Sequence, residues 1–85
     1  MEVHFTPSFV KQFNAVESLL QTEVEEKTEL FKDKTNHKRL KVPALHGRLA
    51  GLHSFSVNYA YRIVFEYLNA QETLLLKVGT HHIYK

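Results

Sequence analysis

The sequence predicts a small α+β domain in which a helix hairpin packs on one face of a small antiparallel-rich sheet. Apolar residues recur at helical spacing in the first third of the chain and alternate with polar residues in the last third. The predicted order is β-α-α-β-β-β in a single domain over residues 1–85. Short links between the last three strands favour antiparallel neighbours. A domain of this size buries roughly 60% of its unfolded surface, so its core is thin.

The first third predicts one strand and two helices. Residues 3–5 form a short strand candidate, and a helix is expected to begin after it, with Thr6 as N-cap and Pro7 at the first helical position. Thr22 and Glu25 form a capping box, which predicts the start of a second helix there. The apolar stripe of the first helix consists of Phe9, Val10, Phe13, Val16, Leu19 and Leu20.

The rest of the chain predicts a loop and three strands. The loop is expected from about Lys34 to Gly51, because Pro43, Gly47 and Gly51 break regular structure. The strands are expected at 52–57, 60–68 and 73–78, with turns at 58–59 and 69–72 and an interruption at Gly79.

The middle predicted strand has two chemically different faces. Tyr61, Ile63 and Phe65 share one face, and Arg62 lies on the other with Glu66. If the apolar face packs under the helices, Arg62 points to the open face of the sheet. Its planar fork suits phosphate or carboxylate, and the alternative is an ion pair with Glu66 or with an acid from elsewhere in the chain.

The charges are strongly segregated along the chain. Residues 34–65 contain no acidic residue and carry a net charge of +6, while residues 1–33 carry −4 and residues 66–85 are balanced, which gives the total of +2. This pattern predicts that the middle segment binds an anion or an acidic partner. Its basic residues are Lys34, Lys38, Arg39, Lys41, Arg48 and Arg62.

Several classes of protein are disfavoured. The absence of Cys excludes disulfides, thiolate chemistry and Cys-based zinc sites. His81 and His82 are adjacent rather than spaced as paired ligands, so no metal site is predicted and no cofactor is expected. The longest aliphatic run, residues 74–76, is too short for a membrane span, and a cytoplasmic protein without a membrane partner is expected.

The C-terminal tail places His81, His82 and Tyr84 within four residues. By themselves, these are most simply read as a surface terminus. They also fit RNA cleavage by the 2′-OH of the substrate, which needs a base, an acid and cations for the phosphate but no metal. The basic loop, with Lys38 and Arg39, would hold neighbouring phosphates.

Two stretches carry a resemblance to a known family. The stretch 45–67 and the ending 74–84 resemble the RelE/ParE toxin superfamily of type II toxin–antitoxin modules, whose pattern reads roughly LKGxLxGxxSxxxxxxYRIxFE and then GTHDxVY. The resemblance implies the RelE-like fold and a ribosome-dependent mRNA endonuclease. It also implies a cognate antitoxin that holds the toxin inactive in a hetero-oligomer.

The resemblance assigns roles position by position. Arg62 matches the strand arginine that stabilises the phosphate, and His81 matches the histidine of the GTH motif, a candidate acid or base. Tyr84 matches the aromatic residue that orients RNA, while Lys41 and Arg48 match basic positions that contact the RNA backbone.

Two positions depart from the family pattern at the candidate site. His46 replaces the usual Lys of the LKG element, where it remains a candidate for proton transfer or phosphate contact. His82 replaces the usual Asp and adds a second possible proton carrier. Two other functions stay open: a ParE-like toxin that poisons DNA gyrase, and an inactive module that only binds the antitoxin. In each case the positive groove is expected to be covered by an acid-rich antitoxin segment with apolar anchors.

Overall fold

The computed structural model describes residues 1–40 and 50–80. Within these ranges two helices pack on a mixed four-stranded sheet, which confirms the predicted α+β class and element order. No helix in the described ranges is long and apolar enough to cross a membrane. The elements are β1 (Glu2–Phe5), α1 (Pro7–Ala15), α2 (Ser18–Phe31), a 3₁₀ helix (Lys34–Asn36), β2 (His53–Ser56), β3 (Arg62–Tyr67) and β4 (Glu72–Gly79).

The sheet order is β1-β4-β3-β2. The pairs β2–β3 and β3–β4 are antiparallel, as the short links between these strands predicted. The N-terminal strand β1 pairs with β4 in parallel, since the two helices carry the chain across the sheet before it returns. As a result, β1 and β2 are the two edge strands.

The start of α1 agrees with the sequence prediction. Thr6 has an extended backbone, its Oγ1 accepts a hydrogen bond from the Phe9 amide at 3.0 Å, and Pro7 occupies the first helical turn. The same hydroxyl donates to the Leu76 carbonyl at 2.9 Å. One side chain therefore caps the helix and ties it to β4.

The predicted boundary between the helices is wrong. The break lies at Val16 and Glu17, whose backbones are extended, and α2 begins at Ser18 rather than at the Thr22 capping box. The Thr22 hydroxyl bonds the Ser18 carbonyl inside the helix, so it does not cap a helix start. The side-chain amide of Gln21 donates to the Phe13 carbonyl at 3.0 Å, which also accepts from the Val16 backbone amide, and so links α2 to the end of α1.

Strand ends differ from the prediction at several points. The strands β2 and β3 are shorter than the predicted ranges, and β4 runs through Gly79, which pairs with Arg62 instead of interrupting the strand. A register shift in the β3–β4 ladder leaves Leu76 as an extra residue on β4. Because of this bulge, Leu75 and Val78 both face the core although they are three residues apart.

Aromatic rings fill the core between helices and sheet. Phe31 is fully buried and stacks between Phe55 and His37, with ring centroids 4.4 and 4.6 Å away, while Phe65 meets it edge-on. The predicted inward face of β3 is confirmed, because Ile63 and Phe65 are fully buried in this cluster.

The segment predicted as a loop from Lys34 is partly ordered by hydrogen bonds. It starts with the 3₁₀ helix, capped by Asp33, and continues through turns to Leu40, which is buried in the core. The predicted loop positions 41–49 lie outside the described residues.

Candidate functional site

Arg62 is held by two serines of the neighbouring strand. Arg62 and Ser56 are direct partners in the β2–β3 register, and Ser54 lies two residues further along β2 on the same face. Arg62 Nη1 donates to Ser56 Oγ at 2.7 Å, and Nη2 donates to Ser54 Oγ at 3.3 Å. Two branches of the guanidinium are thereby oriented by one strand.

The contacts described for Arg62 differ from the alternative of an ion pair with Glu66. Its contacts with Ser54 and Ser56 are with neutral hydroxyl groups, which orient the guanidinium.

The face of the sheet opposite the helices is only partly open. Ser54 is fully buried and Val64 is 3% exposed, although alternation places both on this face. Arg62 and Ser56 are only partly buried. The guanidinium therefore lies at the border between a closed patch and solvent, where electrostatic interactions are stronger than in bulk water.

The stretch that ends at Leu40 lies beside β2, the strand that pairs with the Arg62 strand β3. The Ser56 amide donates to the Leu40 carbonyl at 3.3 Å, and Ser56 is also the hydroxyl partner of Arg62. The predicted phosphate contacts Lys38 and Arg39 directly precede Leu40, and both side chains are exposed. Leu40 is anchored in the core, so these two cations are held near the edge strand β2.

Two histidines of the acid-free segment have packing roles. His37 stacks on Phe31 and its Nε2 lies 2.9 Å from the Phe31 carbonyl oxygen. His53 packs against Phe65 and against the edge of Tyr67, with ring centroids 5.5 and 5.0 Å apart. Burial raises the pKa of the Tyr67 hydroxyl. Both histidines serve the aromatic core rather than the Arg62 site.

Several predicted site residues lie outside the described residues. They are the backbone contacts Lys41 and Arg48, the candidate proton carriers His46, His81 and His82, and the aromatic Tyr84. Their predicted roles remain predictions from the sequence.

Ser54 and Ser56 are site residues that the sequence reasoning did not identify. Their signal was present: they flank Phe55 at alternating positions, so their side chains share the face opposite the core. The pairing partner of each serine depends on the β2–β3 register. That register is a tertiary property that alternation within one strand does not reveal.

The fold has clear counterparts among solved structures. A chain of the Escherichia coli DinJ–YafQ toxin–antitoxin complex matches with a TM-score of 0.75 and 14% identity, covering 96% of this chain and 93% of that chain. A chain of the Staphylococcus aureus YoeB–YefM complex matches with a TM-score of 0.74 and 14% identity, covering 95% and 97%. The YoeB/ParE toxin from Agrobacterium tumefaciens matches with a TM-score of 0.68 and 18% identity, covering 95% and 99%.

Neither a family model nor a curated protein matches the sequence. The chain has the α+β fold of small toxins from toxin–antitoxin modules, with a helix hairpin on a four-stranded sheet. Within that class, it has the fold of the RelE/ParE-like toxin superfamily, which confirms the resemblance seen in the sequence at the level of the fold.

Proposed function

We propose that this chain is the toxin of a type II toxin–antitoxin module and that it cleaves mRNA on the ribosome, in the cytoplasm, without a metal ion. The observation that carries the proposal is the oriented guanidinium of Arg62, held at 2.7 and 3.3 Å by the two β2 serines. A guanidinium that is already oriented and lies at the border with solvent is suited to bind a phosphate whose negative charge increases in the transition state.

In the proposed reaction, the RNA supplies its own nucleophile. A base removes the proton from the 2′-OH, and its oxygen attacks the adjacent phosphorus. The bond to the 5′ oxygen breaks, and an acid protonates that oxygen. The products are a 2′,3′-cyclic phosphate and a free 5′-OH, so no water or metal enters the step. Arg62 would neutralise the non-bridging oxygens as negative charge develops on them.

The remaining roles follow the resemblance and the charge pattern. His81 is the first candidate for acid or base, with His82 and His46 as substitutes, and Tyr84 would orient the RNA. Lys38 and Arg39, with Lys41 and Arg48, would bind neighbouring phosphates in a mostly sequence-independent and salt-sensitive manner. The segregated charge also supports an antitoxin partner with an acid-rich segment, because residues 34–65 carry +6 without one acid.

The test is induction of the chain in cells that lack the antitoxin, with primer extension on a reporter mRNA. Wild type and Arg62→Ala are compared, and Lys11→Ala, an exposed cation on α1, serves as the matched control. We expect growth arrest and new cuts within translated codons for wild type and for Lys11→Ala, with both effects lost in Arg62→Ala.

Other outcomes separate the alternatives. Growth arrest with intact mRNA would overturn the nuclease proposal in favour of a gyrase poison, which inhibition of DNA supercoiling would then reveal. Free growth on expression of the folded wild-type chain would overturn the toxin assignment and leave an antitoxin-binding module.

A further inference from the structure

A cluster of potential metal ligands lies at the opposite edge of the sheet from β2. Glu2 and His4 alternate along β1, and Glu72 lies on β4 directly opposite Glu2 in the parallel register. One ligand atom from each of the three side chains lies within 4.8 Å of the others. His4 Nε2 is 3.6 Å from a Glu72 oxygen and 4.0 Å from a Glu2 oxygen.

The three side chains share the face of the sheet that is not covered by the helices. Val3, which lies between Glu2 and His4, pairs with Thr73, which follows Glu72, on the core face, where Thr73 is fully buried. The cluster is separate from Arg62: His4 lies two strands away and about four residues along the strand direction, roughly 16 Å in all, and Glu2 and Glu72 lie about two residues further along. The two sites share no residue among those described.

We propose that Glu2, His4 and Glu72 bind one divalent first-row transition ion, such as Zn²⁺, which links the edge strand β1 to β4. An imidazole nitrogen with two carboxylates is a donor set for such ions, whereas Mg²⁺ prefers oxygen ligands and retained water. Ligand atoms around tetrahedral zinc are about 3.3 Å apart, from bond lengths of about 2.0–2.1 Å. Small rotations of these partly exposed side chains would therefore bring the three ligand atoms to the spacing found around a bound ion.

The backbone places two like charges in register at this position. Directly opposed carboxylates destabilise a strand pair, and a cation between them reverses the sign of that contribution. His4 supplies a cation only when it is protonated. A bound metal ion supplies the positive charge while the imidazole is neutral, and the neutral imidazole is the form that binds metal.

The Glu72 carboxylate is also oriented by an outer partner. Asn69 Nδ2 donates to Glu72 Oε2 at 2.8 Å, and Asn69 Oδ1 accepts from the Gln71 amide at 2.8 Å. One oxygen of Glu72 is thus fixed by the turn, and the other faces His4. Such outer partners raise metal affinity by holding a ligand in its binding orientation.

Zinc titration of the full chain tests the proposal. Calorimetry and thermal unfolding are performed on metal-free protein without an affinity tag, in the Arg62→Ala background so that the chain can be produced. We expect one Zn²⁺ per chain, a rise in melting temperature, and no displacement by Mg²⁺. His4→Gln and Glu72→Gln should weaken binding by at least about tenfold and remove the rise, and Asn69→Ala should weaken it by about tenfold.

Two controls make the result specific. Glu66→Gln removes a partly buried carboxylate from the same face and should bind zinc as well as the parent chain. The double variant His81→Gln, His82→Gln should also retain binding, because the tail is not part of the proposed site. Absence of binding in the parent chain, or binding that persists in His4→Gln and disappears in the tail variant, would overturn the proposal. Both results are independent of toxicity.

Discussion

Arg62 and Ser56 are direct partners across the β2–β3 ladder, and the guanidinium of Arg62 donates a 2.7 Å hydrogen bond to the hydroxyl of Ser56. The amide of Ser56 also bonds the Leu40 carbonyl, which follows the exposed Lys38 and Arg39 in sequence. Ser56 therefore connects the candidate phosphate ligand on β3 to the basic segment. Three of the following predictions concern this region and the core beneath it.

Replacement of Arg62 should abolish most of the proposed cleavage. Arg62→Ala removes a pre-oriented charge from the reacting phosphate, at a cost of about 2–4 kcal/mol in the barrier, or roughly 30-fold to 10³-fold in rate. Arg62→Lys should recover only part of the loss, because an ammonium cannot use both serines as a planar fork does. Single-turnover cleavage on programmed ribosomes measures the effect, and an unchanged rate in Arg62→Ala would exclude this role.

Ser56→Ala should act on cleavage through Arg62. It removes the shorter of the two serine hydrogen bonds of the guanidinium, and we expect a rate about tenfold lower, equivalent to about 1.4 kcal/mol in the barrier. Ser56→Thr keeps the hydroxyl and should restore the rate. Equal rates for the Ala variant and wild type, with circular dichroism showing both folded, would mean that Ser56 does not position Arg62.

His81 should be needed for cleavage and not for antitoxin binding. His81→Gln removes the proposed proton carrier, so most cleavage should be lost while the antitoxin affinity stays close to that of wild type. Cleavage assays and a binding titration with the purified antitoxin measure the two effects separately. Full cleavage by His81→Gln would transfer the role to His82 or His46.

Phe31→Ala should strongly destabilise the fold. The ring is fully buried between Phe55 and His37, and removal of a buried Phe side chain costs about 3–5 kcal/mol. Leu19→Ala on the same helix is the matched control, since Leu19 is 75% exposed and its loss should change the free energy of unfolding by less than about 0.5 kcal/mol. Urea unfolding compares the two, and similar midpoints would contradict the proposed core.

Asp33 should titrate below its ordinary range. The side chain and the backbone amide of Thr35 donate to its carboxylate at 2.8 and 3.0 Å and lower its pKa. A depressed pKa in the folded state means that the contribution to stability is present above the unfolded pKa and is lost as pH falls through the folded value. Carboxyl ¹³C NMR should show the low pKa, and Thr35→Ala should raise it. An ordinary pKa in the wild type would show that the cap does not form.

Local signals in the sequence were sufficient for much of the fold. Thr6 and Pro7 predicted the start of α1, and the alternation around Arg62 predicted which residues of β3 face the core. The Thr22 capping box failed, because the chain leaves helical geometry at Val16 and Glu17 and the Thr22 hydroxyl donates to the Ser18 carbonyl inside α2. A capping pattern describes only a possible hydrogen bond, and tertiary contacts decide whether it forms.

The sequence by itself determined the element order, the segregation of charge and the presence of Arg62 on the face opposite the core. These properties depend on residues that are close in sequence, where spacing and side-chain chemistry are sufficient. The tertiary structure decided the partners: Ser54 and Ser56 beside Arg62, Leu40 beside Ser56, and Glu72 beside Glu2 and His4. Those contacts depend on strand order and register, which are properties of the whole sheet that no single segment encodes.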